Sequence, residues 1–435
     1  MSEQPNTPAG ETVDPRMARE ARRVIGATFL GTTIEWYDFF LYAACAALVF
    51  GPQFFPSDDP AASQLGAFVT FAFGFVARPL GGILAGHFGD RIGRKRMLVL
   101  SLYVMGGATV LIGLVPNFEA IGIAAPVLLV ILRLAQGLGV GAEWGGAVTM
   151  AIEYAPAKRR ALYGAAPMIG LPAGLMLANL MIIALLALTG PNFTTWGWRI
   201  GFVISIVLVI VGLWTRRRLG ESPLFETAVK NAPARVPFVE VFARFTPQLL
   251  LTIVIAGVPS ILSYIVLTWA LSYGTTQVGY AQSPLLWIGI VCCILQIAMI
   301  PLLARVADRR GLVPMGVLGG LLMAATVIVF FLLFNTGEIW LAALGTILAH
   351  ASTSFAWAVV PPILTRTFPS RLRYSGVSMA YQFGAIVGGG IAPLIATSLL
   401  AATGSTTPVV IYVVAAALLM AVCTLLWGRF KAPAE

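Results

Sequence analysis

Twelve apolar runs, each about as long as a bilayer's hydrocarbon core is thick, constrain this chain more than any other feature. They lie at roughly 24–50, 64–86, 97–115, 121–152, 161–187, 198–215, 246–272, 284–304, 314–334, 339–365, 374–401 and 408–428. A helix needs about 20 consecutive apolar residues to cross, so each run reads as a spanning helix. The fold class expected is an all-α membrane protein of twelve transmembrane helices. Hydrophobic residues make up 58% of the 435 and charged residues 11%. Soluble domains carry about 25% charged residues, which excludes that class. Cys45, Cys292, Cys293 and Cys423 all fall inside apolar runs. They show neither metal-ligand nor disulfide spacing and read as small apolar fillers. No metal and no cofactor is expected. The first run is too long for the apolar core of a signal peptide and has no convincing cleavage site.

A net charge of +10 raises the question of nucleic acid, but the basic residues sit in short segments between the apolar runs. Arg16, Arg19, Arg22 and Arg23 precede the first run, and Arg91, Arg94, Lys95 and Arg96 follow the second. Lys158, Arg159 and Arg160 follow the fourth, and Arg216 to Arg218 open the segment after the sixth. Arg305, Arg309, Arg310, Arg366, Arg371, Arg373, Arg429 and Lys431 continue the pattern. The intervening loops carry Asp58, Asp59, Glu119 and Glu338, with Arg199 the one basic residue near that side. This asymmetry assigns both termini to the cytoplasm and excludes a nucleic-acid partner. The expected division is a disordered N-terminus (1–22), a six-helix bundle (23–215), a cytoplasmic linker (216–245), a second six-helix bundle (246–428) and a short tail (429–435).

An internal repeat supports two halves. Gly86-His-Phe-Gly-Asp90-Arg91-Ile-Gly93-Arg94-Lys95 follows the second run, and Ala304-Arg-Val-Ala-Asp308-Arg309-Arg310-Gly311 follows the eighth. Parallel repeats of this kind build transporters. The first copy resembles the signature loop of the major facilitator superfamily. Three further stretches narrow the resemblance: Glu35-Trp36-Tyr37-Asp38-Phe39, Ala77-Arg78-Pro79-Leu80-Gly81-Gly82, and Arg133-Leu-Ala-Gln136-Gly137 with Gly141-Ala-Glu143-Trp144-Gly145-Gly146. Together they look like the metabolite:proton symporter family, whose members carry shikimate, α-ketoglutarate, citrate, proline or betaine. The resemblance implies two pseudo-symmetric six-helix bundles and transport by alternating access. It also implies a cytoplasmic latch of Gly86, Asp90, Arg91, Gly93 and Arg94, with Glu153 and Arg160 as its counterpart after the fourth run. Asp308 and Arg309 take the corresponding place in the second half. The competing reading is that these charges only set topology, which needs Arg and Lys but not the Gly and Asp.

Away from the loops, the formally charged residues are Glu35, Asp38, Arg78, Arg133 and Glu143, all in the first half. An ionised group in mid-bilayer costs about 2.5–3.5 kcal/mol or more, and such groups mark functional sites. Glu35 and Asp38 are three residues apart and share a helix face. Arg78 and Glu143 lie at similar depths, about 12–15 Å from the basic turns at 1.5 Å per residue, so a pair between them is expected. That pair reads either as functional or as a static tie. Asp38 and Arg133 match the positions of an Asp–Arg device in the superfamily's sugar-transporting branch. A nearby guanidinium favours a carboxylate's ionised form, and its withdrawal favours the protonated one. Asp38 is therefore expected to carry the proton while Arg133 switches between Asp38 and cargo; Glu35 is the competing carrier.

The second half offers a neutral inventory of Ser260, Ser263, Tyr264, Gln296, His350, Ser352, Thr353, Ser354, Trp357, Tyr381 and Gln382. Proton and substrate contacts are assigned to Glu35, Tyr37, Asp38, Arg78, Arg133, Gln136, Glu143, His350, Trp357, Tyr381 and Gln382. A buried His is more often simply hydrogen-bonded, and buried aromatic residues more often pack. The expected activity is proton-coupled import of a small organic acid, because a buried Arg suits a carboxylate. The lack of a second-half Arg favours a monocarboxylate of shikimate type. The alternatives are drug efflux and a proline or betaine symporter; the chain lacks the C-terminal coiled coil of osmosensing members. No nucleotide-cradling, metalloprotease or nucleophile-elbow motif is present, so no enzyme is expected. A monomer in the plasma membrane is expected.

Overall fold

The computed structural model describes residues 15–58, 60–92, 94–153, 155–217, 237–369 and 372–430. Among them, ten helices are long and apolar enough to cross a membrane. An eleventh crossing is the pair Val24–Cys45 and Leu48–Phe54, bent by 42°, and the shorter apolar helix Val99–Leu114 fills the remaining run. We label the spanning elements α1 (Pro15–Cys45), α2 (Pro60–Ile92), α3 (Arg94–Leu114), α4 (Ala124–Glu153), α5 (Arg160–Thr189) and α6 (Gly197–Arg217). The second half comprises α7 (Thr246–Val278), α8 (Gln282–Arg310), α9 (Leu312–Phe334), α10 (Ile339–Thr367), α11 (Arg373–Thr403) and α12 (Thr407–Trp427). Helix α1 begins at Pro15, inside the segment expected to lack order. Within the expected linker, Pro237–Arg244 forms a short helix, and residues 218–236 lie outside the described residues.

Six helices pack together in each half. In the first, α1 lies along α5, α4 along α2 and α3, and α3 along α6; in the second, α10 lies along α8 and α9, α9 along α12, and α7 along α11. The halves meet where α5 packs on α8 and α10, and where α11 packs on α2 and α4. Close approach of α2 and α4 depends on glycine. A Cβ at Gly141 would collide with the Arg78 carbonyl, and one at Gly81 with the Leu138 carbonyl. Without a hydrophobic force between helices in lipid, such close backbone contact is what holds spans together. Leu80, Leu84, Val207, Ile210 and Leu332 face outward, as lipid-facing positions do. Exposed Trp196, Trp287 and Trp340 stand near helix ends, where aromatic belts form.

Helices α7 and α11 are interrupted at mid-span. Helix α7 takes π turns at Ile265–Trp269 and Gly274–Val278, and α11 at Ile386–Ile391. Such turns frequently mark functional segments. Here the α11 turn brings Gly389 against Phe75 of α2, where a Cβ would meet the ring at 2.7 Å.

Candidate functional site

The α2–α4 contact sets two guanidinium groups side by side. Arg78 and Arg133 are both 0% exposed, a costly arrangement unless each charge is compensated. Aromatic faces supply part of the compensation. The Arg78 guanidinium carbon lies 5.0, 4.4 and 4.8 Å from the ring centres of Trp36, Phe39 and Phe75. That of Arg133 lies 4.4, 4.1 and 5.1 Å from Phe39, Tyr42 and Phe71. Each desolvated cation–π contact contributes up to about 2 kcal/mol. Gly74 leaves room for Arg133, since a Cβ there would meet its Nε at 2.5 Å.

The two cations differ in their hydrogen bonds. Arg133 Nη1 donates to Gln136 Oε1. None of the three side-chain nitrogens of Arg78 has a hydrogen-bond partner among the described residues. No hydrogen bond of the expected Arg78–Glu143 pair is seen: the Arg78 nitrogens face the rings of α1 and α2, and Glu143 is buried on α4.

Asp38 is 0% exposed. Its Oδ2 accepts from Thr109 Oγ1 of α3 and its Oδ1 from Ser205 Oγ of α6, each at 2.9 Å. The expected direct contact with Arg133 is replaced by a relay: Arg133 donates to Gln136, and Gln136 Nε2 donates to Thr109 Oγ1 at 2.8 Å. The physical reason is proximity on the helix. Gln136 lies one turn from Arg133 on the same face and reaches the guanidinium first. Tyr37 does not face the cations; its hydroxyl donates to the Gly201 carbonyl at 3.0 Å and ties α1 to α6. Glu35 is buried on the same helix.

Thr109 and Ser205 were not singled out from sequence. A Thr or Ser in an apolar run usually donates to the carbonyl one turn back, and nothing local reveals a second partner on another helix.

In the second half, Gln296 of α8 and His350 of α10 meet at 3.1 Å, and Gln296 Nε2 donates to Thr353 Oγ1 at 2.9 Å. These groups lie between α8 and α10, apart from the guanidinium pair. Trp357 is buried in the apolar core. Tyr264 of α7 reaches the rings around the cations: its ring centre is 6.0 Å from that of Phe75, and its buried hydroxyl has no hydrogen-bond partner among the described residues.

A cavity of about 470 Å³ is lined by Phe40, Leu48, Asn179, Leu271, Thr276 and Gln282 among others, with Thr276 exposed. It opens on the face of the acidic loops. Its inner wall includes Phe40, whose ring stacks on Trp36 at 5.4 Å. On the basic face, described residues of the two halves meet in several contacts. Tyr381 of α11 stacks on Trp144 of α4, centres 3.4 Å apart and planes 7° apart. Tyr374 Oη donates to the Ala142 carbonyl at 2.8 Å and Gln382 Nε2 to the Gly141 carbonyl at 3.3 Å. Asp308 of α8 accepts from the backbone N–H groups of Ala161 and Leu162 at 2.9 and 3.1 Å, the first turn of α5. A carboxylate is favoured there by the helix dipole. Lys158, Arg159, Arg305 and Arg309 line a groove beside it, and Arg160 opens α5. Gly86, Asp90, Arg91, Arg94 and Glu153 fall in helices, but their side chains lie outside the described residues, as does Gly93 altogether.

Three comparisons bear on this arrangement. Residues 28–336 match the family described as Major Facilitator Superfamily. The chain is 40% identical over 385 residues to the shikimate transporter of Escherichia coli strain K12, covering 87% of this chain and 88% of that protein. It is 32% identical over 391 residues to the proline/betaine transporter of the same strain, covering 87% of this chain and 78% of the other. In fold it is similar to the proton:xylose symporter XylE, with a TM-score of 0.73 at 18% identity over 95% of this chain and 96% of XylE.

Proposed function

We propose that this chain, which belongs to the major facilitator superfamily, imports a small monocarboxylic acid together with protons. As a member of that superfamily it is a multi-pass membrane transporter and not an enzyme. The observation that carries the substrate reading is Arg78: a fully buried cation packed against aromatic rings, whose three side-chain nitrogens make no hydrogen bond among the described residues. A planar guanidinium binds a carboxylate through two parallel hydrogen bonds. Cargo therefore pairs with Arg78 in place of the Arg133 expected from sequence, because Arg133 already holds Gln136. Tyr264, from the other half, completes the cargo site with a free hydroxyl.

Asp38 carries the proton, the basic face is cytoplasmic, and the conformation described faces outward. Proton and acid enter from the acidic face. Closure over Phe40 and opening of the Trp144–Tyr381 seam then deliver both inward. One chain suffices for this cycle. A shikimate-like cargo agrees with the name of one relative. A zwitterion such as proline or betaine would leave its positive end beside two guanidinium groups, which disfavours that alternative.

The test is uptake of labelled monocarboxylates, shikimate among them, and of proline and betaine by proteoliposomes with an imposed proton gradient. An organic acid is expected to accumulate while the zwitterions do not. Asp38→Asn is expected to retain exchange of cargo but lose accumulation. Proton-driven accumulation by Asp38→Asn, or expulsion of the acid, would refute the reading.

A further inference from the structure

We infer that Thr109 and Ser205 form a two-position hydroxyl shell in which Asp38 gains and loses a proton while remaining hydrogen-bonded in both states. The inference rests on the reading of Asp38 as the proton carrier. Each hydroxyl has one hydrogen to donate and two acceptors within reach. Thr109 Oγ1 lies 2.9 Å from Asp38 Oδ2 and 3.0 Å from the Met105 carbonyl. Ser205 Oγ lies 2.9 Å from Asp38 Oδ1 and 3.3 Å from the Gly201 carbonyl. When Asp38 is ionised, both hydrogens point at the carboxylate. When it is protonated, its own O–H donates to one of these oxygens, whose hydrogen swings to the carbonyl one helical turn back. No heavy atom has to move.

The relay from Arg133 fixes the direction of this shell. A guanidinium can only donate, so Arg133 holds Gln136 by its carbonyl oxygen. The Gln136 amide nitrogen must then donate to Thr109 Oγ1, 2.8 Å away. That bond occupies one acceptor position of Thr109 in both states and leaves the other for the Asp38 proton. The transferred proton comes from water and returns to water; the hydroxyl protons stay on their own oxygens.

The charged and titratable groups around Asp38 are few. Arg133 comes from α4 and Arg78 from α2, while Glu35, Tyr37 and Cys45 share α1. Helices α3 and α5 present no charged side chain at this depth. Helix α6 presents only Arg199 at its outer end, where it donates to the Gly113 and Val115 carbonyls.

The experiment measures the pH dependence of uptake and exchange for reconstituted full-length Thr109→Val, Ser205→Ala, Thr109→Ser and Asp38→Asn. Removing one donor weakens the ionised form of Asp38. The alkaline limit of uptake is therefore expected to move up by about one pH unit in Thr109→Val and in Ser205→Ala, the size of one charge-assisted hydrogen bond. Thr109→Ser is expected to match the parent. Infrared titration of the purified protein reads the same shift in the carbonyl band of protonated Asp38, identified by its loss in Asp38→Asn. That reading needs no transport, and Ser205→Ala carries it alone if Thr109→Val misfolds. An unshifted limit and band in Ser205→Ala, with Asp38→Asn unable to accumulate, overturns the shell and leaves the proposed function standing. Accumulation by Asp38→Asn overturns both.

Discussion

The two halves contain the same hydrogen-bonded device with different endings. In the first, the Gln136 amide takes a donor from Arg133 and passes one to Thr109, whose hydroxyl ends on Asp38. In the second, the Gln296 amide faces His350 and passes a donor to Thr353, whose hydroxyl ends on the His350 carbonyl at 2.7 Å. One network ends on a carboxylate side chain, the other on a main-chain carbonyl, with the His350 ring at its start. The comparison teaches that a buried polar network does not by itself make a proton site. On the proposed reading the terminal acceptor decides, and the sequence places the carboxylates of the spanning runs in the first half.

The largest expected effect tests the charged half. Arg78→Gln removes a cation whose nitrogens make no hydrogen bond among the described residues, so apparent affinity for an acid is expected to fall about a hundredfold or more, the loss of two charge-assisted bonds. Arg78→Lys should recover little of it, because an ammonium cannot reproduce the planar fork. Uptake titrations on protein of confirmed thermal stability check this, and near-normal affinity in Arg78→Gln would break the assignment of cargo to the first half.

A middle-sized effect tests the neutral half. Gln296→Leu leaves His350 and Thr353 short of a buried partner and is expected to lower stability by about 1–3 kcal/mol, read as a fall in melting temperature, with uptake affinity near the parent's. The pH limits should not move. A shift in those limits would mean that the second half shares the proton chemistry.

The smallest effect concerns the seam. Trp144→Ala removes an aromatic stack whose geometric contribution is about 0.5–1.5 kcal/mol, so opening of the basic face should rise severalfold. Spin-label distances between α4 and α11 on that face measure it; an unchanged distribution would mean that the backbone-directed bonds of Tyr374 and Gln382 hold the seam without the stack.

How much of this could be read in the chain follows from the period and cost of its residues. Spanning runs and basic loops were legible because lipid penalises every exception. Glu35, Asp38, Arg78 and Arg133 were legible for the same reason: a charge in such a run is too expensive to be incidental. Their partners were not. Depth placed Arg78 near Glu143 and Asp38 near Arg133, yet rotation about each helix axis decides the contact. Gln136 stands at Arg133, and the rings of Phe39 and Phe75 lie over Arg78. Thr109 and Ser205 remained hidden because a hydroxyl costs little in a helix and leaves no mark on hydropathy. The π turns of α7 and α11 were equally silent, since their sequences are as apolar as their neighbours.

Asp308 grips α5 by peptide N–H groups and not by a side chain. One jaw of that clasp is thus immune to substitution, short of proline at Ala161 or Leu162, and the whole hold hangs on a single codon. The stretch around Asp308 differs from its counterpart at 86–95, and the clasp asks only that the acid be present.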